Sequence, residues 1–95
     1  MKHYFSTFDG IVFTHSDMEF GELGRKVRVY FERPSKDGDG AEFDFAEGDI
    51  PSFEFRKSYG FSQSELLFLQ RYIRNNSFLI WEYAQNGGGK KCLES

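Results

Sequence analysis

The chain has 95 residues, 39% of them hydrophobic and 28% charged, with a formal net charge of −3. That hydrophobic share exceeds what a disordered chain carries, the length matches one domain, and the acid excess argues against a dedicated nucleic-acid binder. The single cysteine, Cys92, excludes an internal disulfide and any cysteine-based metal spacing, and implies a reducing compartment.

The core filling is unusual: twelve Phe, five Tyr and one Trp, against six Leu, four Ile and three Val. Aromatic side chains bury about 150–250 Å² each, so few of them can stabilise a small domain. The opening stretch, "MKHYFSTFDGIVFTHSD", has no apolar run of signal-peptide length. The longest fully apolar run is Phe78–Trp81, against the ~20 residues a membrane helix needs. A soluble, cytoplasmic protein without a membrane span is the expectation.

In chain order, Asp9-Gly10 stands between "YFSTF" and "IVFTH". It either turns a tight hairpin or simply precedes a strand beginning at Ile11. "SDMEFGELG", residues 16–24, holds two interior acids beside Asp17 and two glycines, and reads as a loop. In "RKVRVYFER", Val27, Val29 and Phe31 alternate with Arg28, Tyr30 and Glu32, the period of a half-buried strand. "AEFDFAE" shows the same period, with Ala41, Phe43 and Phe45 expected to face the core. Pro34 and "SKDGDG" turn the chain between the two, placing Arg28 across from Glu42 or Asp44. After a second turn at "EGDIPS", "FEFRK" alternates again through Phe53 and Phe55.

The period then changes. "FSQSELLFLQRYIRN" carries apolar residues at 66, 69 and 73 and at 68 and 72, which is helical spacing. Ser62 and Glu65 form a capping box, flanked by Phe61 and Leu66 as a hydrophobic staple. This context decides how to read "KSYGF", residues 57–61. Its spelling approaches the submotif with which RNA-recognition sheets stack bases. Here Gly60 makes the corner into a helix, and the motif's last aromatic position is Ser64, within the first helical turn. Asn75-Asn76-Ser77 interrupts the helical pattern, so residues 62–86 read as two helices with Ser77 capping the second; one long helix with a polar notch is the alternative.

The fold expected is α+β: an antiparallel meander of three to five strands with one or two C-terminal helices on its Phe-rich face. Residues 1–86 form one domain and residues 87–95 a flexible tail.

Motifs for chemistry are sparse. "DGDGAEFDFAEG" has the acids of a calcium loop, but Glu42 stands where the turn glycine belongs and Gly48 where the bidentate Glu belongs. His3 and His15, the latter two residues before Asp17, read as polar surface histidines. No catalytic residue, cofactor or metal is assigned. The richest interaction chemistry lies in "RYIRNNSFLIWEYAQ", where Arg71, Arg74, Trp81 and Tyr83 are of the types enriched at interface hot spots. The expected function is therefore a non-enzymatic interaction or regulatory module with a protein partner or a second copy. The alternatives are a toxin-like, RNA-directed protein using Arg56, Lys57, Arg71 and Arg74, and an enzyme whose site the sequence does not display.

The pieces "GIVF", "RVYFERP", "EFDFAEGDIP" and "ELLFLQRYIRNNSFLIWEYA" together resemble a family of small bacterial proteins of unknown function. Its members begin with a Gly-led strand, pass through a hairpin bearing a Pro-Pro-His-Phe-His signature, and end in helices near a Trp. The resemblance implies a sheet with C-terminal helices and a link to toxin–antitoxin-like gene pairs. The signature is absent, "PSKDGDG" standing in its place, so the resemblance transfers no functional residue to this chain.

Overall fold

The computed structural model describes residues 2–22, 24–35 and 43–85. The turn at 36–42, Cys92 and the tail expected at 87–95 lie outside the described residues. The elements are β1 (His3–Phe8), β2 (Ile11–His15), β3 (Glu19–Gly21), β4 (Gly24–Pro34), β5 (Phe43–Ile50), β6 (Phe55–Tyr59), α1 (Gln63–Asn75) and α2 (Ser77–Gln85). All strand pairs are antiparallel, in the order β1-β2-β4-β5-β6, with β3 paired to the first residues of β4. The fold is thus α+β, as expected, with six strands among the described residues instead of three to five.

The extra strand comes from the stretch read as a loop. Glu19–Gly21 pairs with Gly24–Lys26 because β4 starts at Gly24, leaving its first residues free to accept a partner after β2 ends. Asp9-Gly10 does turn a hairpin. Both residues have positive φ, 50° and 75°, the geometry that follows the twist of tight two-residue hairpins.

Strand parity assigns the two faces of the sheet. On β4, Val27, Val29 and Phe31 are fully buried. Phe13 of β2 stacks on Phe31 with ring centroids 4.4 Å apart, and Tyr72 of α1 meets Phe13 edge-on at 5.6 Å. Burying each such Phe contributes on the order of 1.5–3 kcal/mol. Strand β5 reverses the expectation. Its inward residues are Asp44, Ala46, Gly48 and Ile50, while Phe43 and Phe45 turn out to solvent. The reason is volume and charge: opposite the Phe13–Phe31 stack only a small residue such as Ala46 fits, and the buried Arg33 at the end of β4 requires Asp44 opposite it. Consequently Arg28 faces Asp49, not Glu42 or Asp44, and pairs with Glu19 at 3.3 Å and Glu47 at 3.8 Å. Strand β6 begins at Phe55, two residues later than the Phe alternation suggested, because Phe53 takes a positive φ of 58° in the preceding turn.

The helices cover the inner face only. At the start of α1 the Ser62 hydroxyl accepts from Glu65 N and the Glu65 carboxylate accepts from Ser62 N, so the capping box is present. Two helices form, separated at Asn76. Ser77 does not cap the second: it lies inside α2, and its hydroxyl donates back to the Arg74 carbonyl at 3.1 Å.

Candidate functional site

The break at Asn76 does not reset the helical phase. Leu69 and Ile73 of α1 and Ile80 and Ala84 of α2 are buried, at spacings of four, seven and four. The opposite stripe runs through Ser64, Leu67, Phe68, Arg71, Asn75, Phe78 and Leu79, all exposed. Four of these are large and apolar: Leu67 is 57% exposed, Phe68 53%, Phe78 75% and Leu79 44%. A scattered apolar side chain on a surface needs no explanation, but four flanking one arginine on a helical stripe have the composition of a contact surface.

Of the residues expected to form the site, Arg71 and Arg74 are exposed, Arg74 with its guanidinium 4.8 Å from the Phe53 ring. Trp81 and Tyr83 turn the other way. Trp81 is half-buried against the core with the Arg25 guanidinium 5.9 Å from its ring, and Tyr83 packs 5.6 Å from Phe5. They hold α2 on the sheet, and their place on the surface is taken by Leu67, Phe68, Phe78 and Leu79. The signal for these was present. "LLFL" and "FLIW" each fill more than one helical turn with apolar residues, and a helix lying on a sheet buries only one face.

The outer face of the sheet is a second exposed surface, bearing Tyr4, Val12, Phe43, Phe45 and Tyr59. The rings of Phe45 and Tyr59 stack on neighbouring strands with centroids 6.3 Å apart, so the tyrosine of "KSYGF" does lie on an open sheet face. Among its described residues it lacks a cationic track. Lys2 lies 3.6 Å from Glu32 and 4.3 Å from the Tyr30 ring, Arg28 is matched by Glu19 and Glu47, and Lys57 stands opposite Glu47. Arg56, counted among the RNA-directed candidates, donates to the buried Asp49 at 2.6 Å.

Among the described residues two polar clusters each centre on a buried side chain, Arg33 in one and His15 in the other. Arg33 reaches Asp44, Glu65 and the Gly60 carbonyl and lies over Phe61, which joins the sheet to the start of α1. Its charged form is strengthened chiefly by the hydrogen bonds it donates to Glu65 and further by Asp44. The second cluster overturns the surface reading of the histidines: His15 is fully buried, its ring 5.4 Å from that of His3, and His3 Nε2 donates to Asp17 Oδ1 at 2.5 Å. Among the described residues no group of three His, Cys, Asp or Glu side chains is placed to hold a metal ion. No described helix is long and apolar enough to cross a membrane.

A cleft of about 620 Å³ lies between the β3–β4 turn and the β5–β6 turn. Arg25, Lys26 and Arg56 line it together with Glu22, Asp49 and Glu54, so it offers no single sign of charge to a ligand. Comparisons with protein-family models, with curated proteins and with solved structures find no match for this chain.

Proposed function

We propose that this chain is a non-enzymatic protein-interaction module whose contact surface is the outer stripe of α1 and α2. The observation that carries the reading is the exposure of Leu67, Phe68, Phe78 and Leu79 around Arg71, with only Phe68 of the four also meeting a ring of the sheet, Phe8 at 6.2 Å, among the ring contacts of the described residues. Apolar anchors repeating at helical spacing are the pattern by which a helix enters an apolar groove, and an arginine between them selects a groove with an acidic rim. The partner is a protein of that kind, or a second copy of this chain.

The RNA-directed reading has weaker support. Its basic residues are divided between Arg56, matched to Asp49, and Lys57, opposite Glu47, on the sheet, and Arg71 and Arg74 on the helices, and they form no continuous path for a phosphate backbone.

The test is quantitative affinity capture with the full chain as bait, alongside sedimentation equilibrium, for wild type and for Leu67→Ser/Phe78→Ser. The reading expects a saturable partner or a self-association that the double variant weakens at least tenfold, with its thermal unfolding unchanged. A monomer whose captured proteins are the same for both chains would sink it. Binding of single-stranded RNA that weakens with salt and is lost in Arg56→Ala/Lys57→Ala would replace it with the RNA-directed reading.

A further inference from the structure

We infer that His3, His15 and Asp17 form an acid-sensitive latch that keeps β1 and the segment after β2 closed against α2, and that opens when His15 takes up a proton. The inference is independent of the interaction surface on the outer side of the helices.

His15 ends β2 on the inward face, opposite Val29 of β4 and His3 of β1, and its side chain is inaccessible to solvent. Its Nδ1 lies 2.8 Å from the Ser16 carbonyl. A carbonyl only accepts, so the ring proton is on Nδ1 and Nε2 carries a bare lone pair. That Nε2 is buried without a hydrogen-bond partner. In the neutral ring the cost is one unsatisfied weak acceptor. In the imidazolium it becomes an N–H donor with no acceptor, carrying charge in an aromatic wall that includes Phe5 at 6.3 Å.

The titratable groups facing this ring are His3 from β1 and Asp17 from the segment after β2; from α2, Tyr83 meets Phe5, the ring beside His15. Asp17 Oδ1 is engaged by His3 Nε2 at 2.5 Å, tying the start of β1 to residue 17, and in this closed arrangement His15 Nε2 has no acceptor of its own. Burial pushes the His15 pKa below its ordinary 6.5 and the neighbouring His3 adds to this, against the Ser16 carbonyl and Asp17.

The surrounding bonds carry the effect outward. Ser16 N donates to Arg28 O at 2.9 Å and Ser16 Oγ accepts from Arg28 N at 3.0 Å, so displacement of His15 disturbs the seam with β4. Two residues on, Met18 N donates to the Ala84 carbonyl of α2 at 3.3 Å. The sign follows from the depressed pKa. The closed form holds fewer protons than the open one, so its stability is fully present above pH 6.5 and is lost as pH falls below it, until the pKa of the closed form is passed. One proton changes the opening equilibrium by up to about tenfold per pH unit in that window.

The experiment is site-resolved amide hydrogen exchange at pH 7.5 and 5.5, corrected for intrinsic rates, with the His15 ring followed by NMR over the same range. Exchange of residues 4–6, 14–18 and 80–85 should rise about tenfold at the lower pH relative to 29–31 and 69–73, while the ring signals show the closed-form His15 still neutral below pH 6.5. In His15→Phe that regional acid response should vanish, whereas in Phe78→Ser it should persist. An acid response that is absent or uniform along the chain, or one that is already complete above pH 6.5, would overturn the latch. So would the same regional response in a folded His15→Phe. If that variant does not fold, the wild-type comparison alone decides.

Discussion

Arg33 and Asp44 stand directly opposite one another on the inward face of β4 and β5, and Arg33 Nε donates to Asp44 Oδ2 at 2.9 Å. The remaining guanidinium donors go to Glu65 at 2.8 and 3.2 Å and to the Gly60 carbonyl at 3.0 Å, with the Phe61 ring 4.2 Å below. One buried cation thereby joins two strands, the corner after β6 and the first turn of α1. Because the pair is buried, its effect on stability depends on which partner is removed. Arg33→Met leaves Asp44 without its cation and should cost about 3–5 kcal/mol, whereas Arg33→Met/Asp44→Leu should recover much of that loss. Urea unfolding of the two variants checks this; a single variant within 1 kcal/mol of wild type would mean that water already reaches the pair.

Gly60 is where the same cluster restricts the backbone. Its φ is +85°, and a Cβ there would collide with the Asp44 carboxylate. Gly10 has a comparable φ of +75° but nothing within 4 Å of the added carbon. The two alanine variants therefore separate backbone strain from collision. Gly10→Ala should cost roughly 1–2 kcal/mol, the penalty for an L-residue in the left-handed region. Gly60→Ala should cost clearly more, because it also breaks the Arg33–Asp44 geometry. Thermal unfolding resolves the difference, since 1 kcal/mol shifts the midpoint of a domain this size by about 4–8 °C.

Glu65 serves both the cap and the cluster. Its Oε1 accepts from Ser62 N at 2.8 Å while both carboxylate oxygens hold Arg33. Removing only the cap with Ser62→Ala should cost about 1 kcal/mol. Glu65→Ala should cost at least twice as much, since it leaves an amide without its acceptor and takes one of two carboxylates from the buried guanidinium. Equal losses in denaturant unfolding would show that Arg33 does not depend on α1.

These contacts mark how far the sequence could be read. The capping box, the Asp9-Gly10 turn and the inward stripe of Val27, Val29 and Phe31 follow from local rules, and each is present. The face of β5 did not follow. "EFDFAEG" alternates equally well in either parity, and only the partner strand decides between Phe43–Phe45 and Asp44–Ala46. The same holds for His15, since a histidine at a strand end looks solvated until β1 and β4 close over it. For the helices, Trp81 and Tyr83 were singled out by residue type, but the phase set by Leu69, Ile73, Ile80 and Ala84 turns them toward the sheet and leaves Leu67, Phe68, Phe78 and Leu79 outside.

That phase is testable at two adjacent residues. Ile80 is fully buried and Leu79 is 44% exposed, although both belong to the same apolar run and have similar volume. Truncating Ile80 to alanine opens a cavity between α2 and the sheet, and should cost about 2–5 kcal/mol. Truncating Leu79 removes a side chain that already meets water, and should stay within about 0.5 kcal/mol of wild type in denaturant unfolding. On partner or self association the order should reverse, Leu79→Ala weakening it and a folded Ile80→Ala leaving it unchanged. A Leu79→Ala variant as unstable as Ile80→Ala would mean that α2 is rotated from the phase described, and the surface assigned to Leu67, Phe68, Phe78 and Leu79 would be part of the core.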